Sequence, residues 1–318
     1  MLKARALWSV GSNAAEIRDG DLGEGVLVET LFSGISRGTE KLVFEGRVPI
    51  SEQTRMRGLA QEGDFSFPVK FGYCLVGEVL EGELTGRKVF ALHPHQDKFR
   101  MSETMLNLVP DGLPAERAIL AANMETALNI LWDSGASAGD RVAVIGVGVV
   151  GALVGYLAAQ LPGSDVTLID LNPARADLAR NLGCKFATPD LAPRESDVVI
   201  HTSASEAGVS LALDIAGQEA TIVEASWFGS GLISLPLGGA FHSRRLRLVS
   251  SQVGNLPSHR VPRWNHRRRM TMALELLQDP KLDVLISGES NFEDLPADYV
   301  AVLNNPDTLC HRIRYKAT

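Results

Sequence analysis

A chain of 318 residues is long enough for two domains and for a large core that needs no disulfide or metal staples. Its 45% hydrophobic and 22% charged residues are ordinary values for a soluble globular protein. The formal net charge of -7 argues against general binding to nucleic acid or to an anionic membrane.

In chain order, the first part reads as an all-β module. Strand-like runs at 26–32, 74–80 and 88–92 are separated by Gly, Pro and polar clusters. Near residue 115 the pattern changes. Strand-like segments at 141–146, 165–170, 197–202, 220–225 and 246–251 then alternate with helix-like segments at 152–160, 174–182 and 206–215. Such alternation predicts a parallel sheet with helices on both faces, an α/β architecture. The end of the chain predicts a helix at 268–277, a loop rich in Asp, Gly and Pro, and a short strand near 310–315. The expected domains are 1–115, 116–262, and a segment 263–318 that returns to the first.

Three cysteines, Cys74, Cys184 and Cys310, stand far apart with no C-x-x-C pair, so neither a disulfide framework nor a zinc knuckle is indicated. A reducing, cytoplasmic setting is expected. The opening MLKARALWSV has no sustained apolar run, and no later run approaches the roughly 20 apolar residues of a membrane helix. The most apolar stretch, 142–161, is broken by Gly146, Gly148, Gly151 and Gly155.

Those glycines carry the strongest motif. In VAVIGVGVVGALVG, Gly146, Gly148 and Gly151 form G-x-G-x-x-G between a strand and a helix. The first allows a tight turn, the second lets a pyrophosphate approach the backbone, and the third lets the helix pack on the strand. The helix N-terminus, at Val149 and Val150, offers free N–H groups to phosphates. The next strand ends in Asp170, 19 residues after Gly151, where a carboxylate accepts from the adenosine ribose hydroxyls. It also repels a 2′-phosphate, which favours NAD(H) over NADP(H). Leu171 and Asn172 add no positive charge, whereas Arg175 is near enough to compete. Ser203 completes the expected cofactor-binding set. The bland alternative is a glycine-rich strand–helix turn with a capping Asp.

The segments LFSGISRGTE (31–40), FPVKFGYCLVGEV (67–79), GRKVFAL (86–92) and NMETALNIL (123–131) resemble the medium-chain dehydrogenase/reductase superfamily. SGISRGTE is locally similar to its bacteriochlorophyllide 3-hydroxyethyl dehydrogenase branch. The resemblance covers nearly the whole chain. It implies a GroES-like β-barrel domain, a Rossmann doubly wound domain and pairing into a homodimer. Where zinc-dependent members carry their ligands, this chain has Ser36, Tyr73 and Ala122, and the four-cysteine structural zinc lobe is absent. Serine, tyrosine and alanine cannot supply zinc's thiolate, imidazole or carboxylate set, so no zinc is expected. Cys74 with His93 and His95 remains an alternative metal site. Arg37 matches the arginine that contacts the pyrophosphate, and Thr126 the threonine beside the nicotinamide. Gly38 replaces the hydroxyl that starts the usual proton relay, leaving Ser36 and Thr39 as nearby hydroxyls.

Without a Lewis acid, hydride transfer needs hydrogen-bond donors or an acid–base group. Tyr73, His93, Ser36 and Glu125 are the catalytic candidates, and His95, Asn123 and Trp264 the substrate-contacting ones. Each has a bland reading: a packing tyrosine, a loop histidine pair, an exposed glutamate at a helix start, a capping asparagine. The segment HRVPRWNHRRR (259–269) holds five arginines, two histidines and a tryptophan, which reads as a solvated face or as a clamp for a flat, anionic substrate. The expected activity is zinc-independent, NAD(H)-dependent alcohol dehydrogenation or ketone reduction of a small molecule. The alternatives are a zinc-free quinone or enone reductase and a non-catalytic NAD-binding protein.

Overall fold

The computed structural model describes residues 3–315. The chain starts with strands β1 (Ala4–Gly11), β2 (Ala14–Gly20) and β3 (Val26–Ser36), which runs directly into helix α1 (Arg37–Phe44). Short strands follow: β4 (Glu62–Gly63), β5 (Val69–Lys70), β6 (Leu75–Val79), β7 (Lys88–Ala91), β8 (Lys98–Met101) and β9 (Asn107–Leu108). Helices α2 (Ala115–Ala118) and α3 (Ala121–Ser134) lead into a βα series. It comprises β10 (Arg141–Ile145), α4 (Val149–Ala158), β11 (Asp165–Ile169), α5 (Arg175–Asn181), β12 (Lys185–Ala187), β13 (Ser196–His201), α6 (Glu206–Ile215), β14 (Ala216–Glu224) and β15 (Arg247–Ser250). The chain closes with α7 (His266–Leu276), β16 (Ile286–Asn291), α8 (Leu295–Asn304) and β17 (Cys310–Arg314).

Two compact units result. One comprises 1–122 with 270–318, the other 123–269, so both junctions lie beyond the expected 115 and 262. The first unit is built on two sheets. One has the order β2-β1-β5-β4; the other has the order β16-β17-β3-β6-β7-β9, with β8 also paired to β3. β3 forms its centre, antiparallel to β6, β8 and β17. Val28, Leu75, Val79, Val89, Ala91 and Phe99 fill one core layer, all fully shielded. The expected C-terminal loop is corrected here: it contains β16 and α8. Tyr299, Val302 and Leu303 on α8 face Phe44, Ile35 and Ile313 in a second core cluster.

The second unit is an all-parallel sheet in the order β12-β11-β10-β13-β14-β15. That order reverses direction at β10 and β13, the switch point of a doubly wound fold, where ligands settle beyond the carboxyl ends of the strands. Burial on both faces explains why β10 reads RVAVI and β11 DVTLI as nearly continuous apolar runs. α4 is buried along almost all of its length, which accounts for its apolar character all round. Among the described residues no helix is long and apolar enough to cross a membrane.

Candidate active site and dinucleotide turn

The dinucleotide turn follows β10. Gly146 has φ +99°, a left-handed conformation that side chains resist, and a Cβ there would lie 2.8 Å from the backbone N of Ser203. Gly151 is required by close approach: its Cβ would lie 2.0 Å from the carbonyl oxygen of Gly146. Gly148 precedes the first residue of α4, and a Cβ there would meet nothing within 4 Å. The N-terminal N–H groups of α4, from Val149 and Val150 onward, therefore look onto open space suited to an anion.

Asp170 is fixed beside this turn. Its Oδ2 accepts from the Val147 N–H at 2.7 Å and its Oδ1 from the Asn172 N–H at 2.9 Å. Each oxygen retains lone-pair capacity for a ribose hydroxyl. Leu171 beside it is 85% exposed. The residues present thus fit a dinucleotide, with the turn for its pyrophosphate and Asp170 for a ribose.

In the first unit, Tyr73 gathers the hydroxyls. Its phenol hydrogen-bonds Ser36 and Thr39, and burial pushes it well above its usual range, with further upward pressure from Cys74 and Glu40. Tyr73 is therefore a lasting hydrogen-bond donor and no base. Ser36 precedes α1, and its backbone N–H donates to Glu40 Oε1 at 2.7 Å. Arg37 is the first residue of α1 and is half-buried.

Beneath lies a buried network that the sequence reading missed. Glu40 Oε2 accepts from Tyr299 Oη at 2.7 Å and from His95 Nε2 at 2.9 Å. His95 Nδ1 lies 2.8 Å from Ser33 Oγ, which lies 3.0 Å from Tyr315 Oη. A proton on Nε2 leaves Nδ1 to accept from Ser33, which accepts in turn from Tyr315. Glu40 lies four residues after Ser36, and that S-x-x-x-E spacing at a helix start was the available signal.

Several expectations are corrected. His95 is not a substrate contact: it is fully buried and both ring nitrogens are engaged. His93 does not titrate near neutrality. It is 4% exposed, stacks on Phe99 with centroids 4.1 Å apart, and donates from Nδ1 to the Pro94 carbonyl at 2.9 Å. Burial pushes its imidazole down to about 3, which removes it as a neutral-pH relay. Glu125 is neither an exposed glutamate nor a free base. Its Oε1 accepts from buried Arg269 Nε at 3.0 Å; burial raises the carboxyl, and Arg269 only partly offsets this. Asn123 is buried and is the third residue of α3, so it does not cap that helix. Trp264 is half-buried against Trp132, their ring centroids 4.7 Å apart and the rings tilted at 55°, with the Arg268 guanidinium 4.1 Å from its ring centroid. Arg269 is buried, whereas Arg263, Arg267 and Arg268 are exposed, so most of the arginine-rich segment is a solvated face. Thr126 lies half-buried on α3.

The alternative metal site does not fit. His95 spends both nitrogens on Glu40 and Ser33, and burial pushes the Cys74 thiol well above its ordinary value, against thiolate formation. Among the described residues, no three His, Cys, Asp or Glu side chains are grouped to hold a metal.

No protein-family model matches the chain. It is 22% identical to D-guloside 3-dehydrogenase of Escherichia coli K12 over 317 residues, covering 90% of this chain and 88% of that one. It is 27% identical to (R,R)-butanediol dehydrogenase of Bacillus subtilis over 184 residues, covering 47% and 52%. Among solved structures, L-idonate 5-dehydrogenase of Escherichia coli superposes with a TM-score of 0.79 at 15% identity, covering 99% of each chain. The chain shares the fold of this dehydrogenase. An alcohol dehydrogenase of Escherichia coli CFT073 complexed with NADH has a TM-score of 0.76 at 15% identity, covering 98% and 99%. Staphylococcus aureus TarJ in complex with NADPH has a TM-score of 0.77 at 14% identity, covering 99% and 100%.

Proposed function

We propose that this chain is a zinc-independent, NAD(H)-dependent dehydrogenase that interconverts a secondary alcohol and its ketone. It is an oxidoreductase acting on CH–OH groups, a reading supported by relatives named as guloside, butanediol and sorbitol dehydrogenases. The observation that carries the cofactor assignment is the glycine turn with Asp170 fixed beside it. The bound nicotinamide supplies or takes the hydride. The protein's part is to hold the substrate oxygen. Tyr73 donates a hydrogen bond to that oxygen, Ser36 and Thr39 hold the phenol in place, and the proton released on oxidation or taken up on reduction is exchanged with solvent water.

The test is turnover of purified, untagged protein on secondary alcohols, polyols and ketones with NAD(H) and NADP(H), alongside quinones and enones. NADH formation from an alcohol in metal-chelated protein is the expected result. Reduction of quinones alone would overturn the alcohol assignment, and cofactor binding without turnover would favour a non-catalytic protein. Zinc near one per chain, retained through mild chelation, would overturn zinc independence.

A further inference from the structure

At the carboxyl end of β13, next to the dinucleotide turn, stands a hydrogen-bonded series that the reaction above does not use. Glu224 Oε2 lies 2.6 Å from His201 Nδ1, and His201 Nε2 lies 2.7 Å from Ser203 Oγ. Ser203 Oγ lies 2.8 Å from Ser205 Oγ. The His201 side chain is fully buried, whereas Ser203 is exposed. Phe228 lies over the imidazole, and Gly208 leaves the space the series needs, since a Cβ there would fall 2.5 Å from both His201 Nε2 and Ser203 Oγ.

The directions of these bonds follow from who can donate. Glu224 Oε1 already accepts from the Ser226 N–H at 2.8 Å, and the carboxylate has no proton to offer the imidazole. The shared proton therefore sits on His201 Nδ1, and in the neutral imidazole this leaves Nε2 as a lone pair. Ser203 must then donate its proton inward to Nε2. With the Ser203 proton used on Nε2, the bond between the two serines is donated by Ser205, whose oxygen accepts from the Gly208 N–H at 3.1 Å. Ser203 is left with no proton to give and with one lone pair unused on an exposed side chain.

We propose that Glu224 and His201 are positioning residues that hold Ser203 as a hydrogen-bond acceptor for the bound dinucleotide. The inference rests on the dinucleotide reading of the glycine turn. It commits Ser203 to a donor group of that ligand, a ribose hydroxyl or the nicotinamide carboxamide. It excludes a phosphate partner, because ionised phosphate oxygens only accept. The proximity is fixed by the turn itself: a Cβ at Gly146 would lie 2.9 Å from the Ser203 Cβ, and Thr202 Oγ1 donates to the Gly146 carbonyl at 2.8 Å.

The experiment is calorimetric titration of the full chain with NADH and with ADP-ribose, using Ser203→Ala, His201→Asn and the double variant. Asparagine at 201 keeps a nitrogen for Glu224 but does not reach Ser203. Ser203→Ala should weaken NADH about fivefold to tenfold, the span of one hydrogen bond. His201→Asn should weaken it similarly in the wild-type background and less than about twofold once Ser203 is already alanine, because the two act through one bond. An equal loss with ADP-ribose would place the donor on that part of the ligand; a loss with NADH alone would place it on the nicotinamide half. Unchanged binding by Ser203→Ala overturns the inference. So does a His201→Asn effect that persists undiminished in the double variant, since that marks a merely structural histidine. A wild-type protein that binds neither ligand overturns the dinucleotide reading itself, a distinguishable failure.

Discussion

At the scale of single residues, burial decides which groups can move protons. Tyr73 and His93 are displaced in opposite directions for the same reason: a low-dielectric surrounding disfavours the charged form, which for tyrosine is the anion and for histidine the cation. Tyr73 thus remains protonated through neutral pH and can only donate. Tyr73→Phe should lower the turnover rate by more than about tenfold while leaving NADH affinity unchanged, the loss expected on removing one hydrogen-bond donor to the reacting oxygen. Paired measurements of kcat and of NADH Kd check this, and full activity in the variant would reduce Tyr73 to a packing residue. For His93 the consequence is stability. Its imidazole stays neutral in the folded chain down to about 3, against an ordinary value of 6.5. Below 6.5 the unfolded chain binds a proton that the folded chain refuses, so stability falls with pH across that window and is unaffected above it. His93→Phe keeps a ring against Phe99 and removes this term. Its Tm should therefore decline less steeply than wild type between about pH 6.5 and 4, and parallel curves would show that His93 is not responsible.

At the scale of elements, the parallel strands were the most legible part of the sequence. Strands buried on both faces must be apolar throughout, and β10, β11 and β13 announce themselves that way. α8 did not, because LPADYVAVLN begins with Leu, Pro, Ala and Asp and follows a polar run, and its apolar residues find their purpose only against Phe44 and Ile313. The site was less legible for a related reason. A histidine or glutamate has the same letter whether it meets substrate or lies in the interior, and only the three-dimensional partners of His95 and Glu125 separate the two. Arg269 shows this best. It is 1% exposed, where its Nε meets Glu125 and its Nη2 donates to the Val253 carbonyl at 2.6 Å. Arg269→Met would leave the Glu125 carboxylate buried without its partner, at a cost of about 3–5 kcal/mol in denaturant unfolding. Adding Glu125→Leu should recover most of that loss, because removing both charges avoids the unpaired one. No recovery would mean that Asn129 and Val253, also bonded to Arg269, carry the effect.

At the scale of the molecule, the sheet order sets where the proposed dinucleotide would lie. The glycine turn, Asp170 and Ser203 follow the carboxyl ends of β10, β11 and β13, neighbouring strands around the reversal, where a parallel sheet of this kind accepts a ligand. Sequence spacing singles out Gly146, Gly151 and Asp170 as candidates, since all three lie along one continuous βαβ unit. It could not find Glu224, which meets His201 only because β14 pairs with β13 in the register His201 to Glu224. Cofactor choice then turns on Asp170. The carboxylate is oriented by two backbone N–H groups, so it presents a fixed negative charge where the adenosine ribose is expected. A 2′-phosphate would bring its own negative charge against it. NADH should therefore bind more tightly than NADPH by calorimetric titration. Asp170→Ala removes both the charge and the acceptor for the Val147 N–H, so it should weaken NADH by roughly 1.5–3 kcal/mol, the value of hydrogen bonds to a charged group. Asp170→Asn separates the two contributions: its amide oxygen can still accept from the backbone or ribose, while the repulsion of a phosphate is gone. That variant should bind NADPH more tightly than wild type does and lose less NADH affinity than the alanine variant. If Asp170→Asn leaves the NADH-to-NADPH ratio unchanged, the discrimination does not come from the Asp170 charge, and the residues flanking it, Leu171 and Arg175, become the ones to exchange.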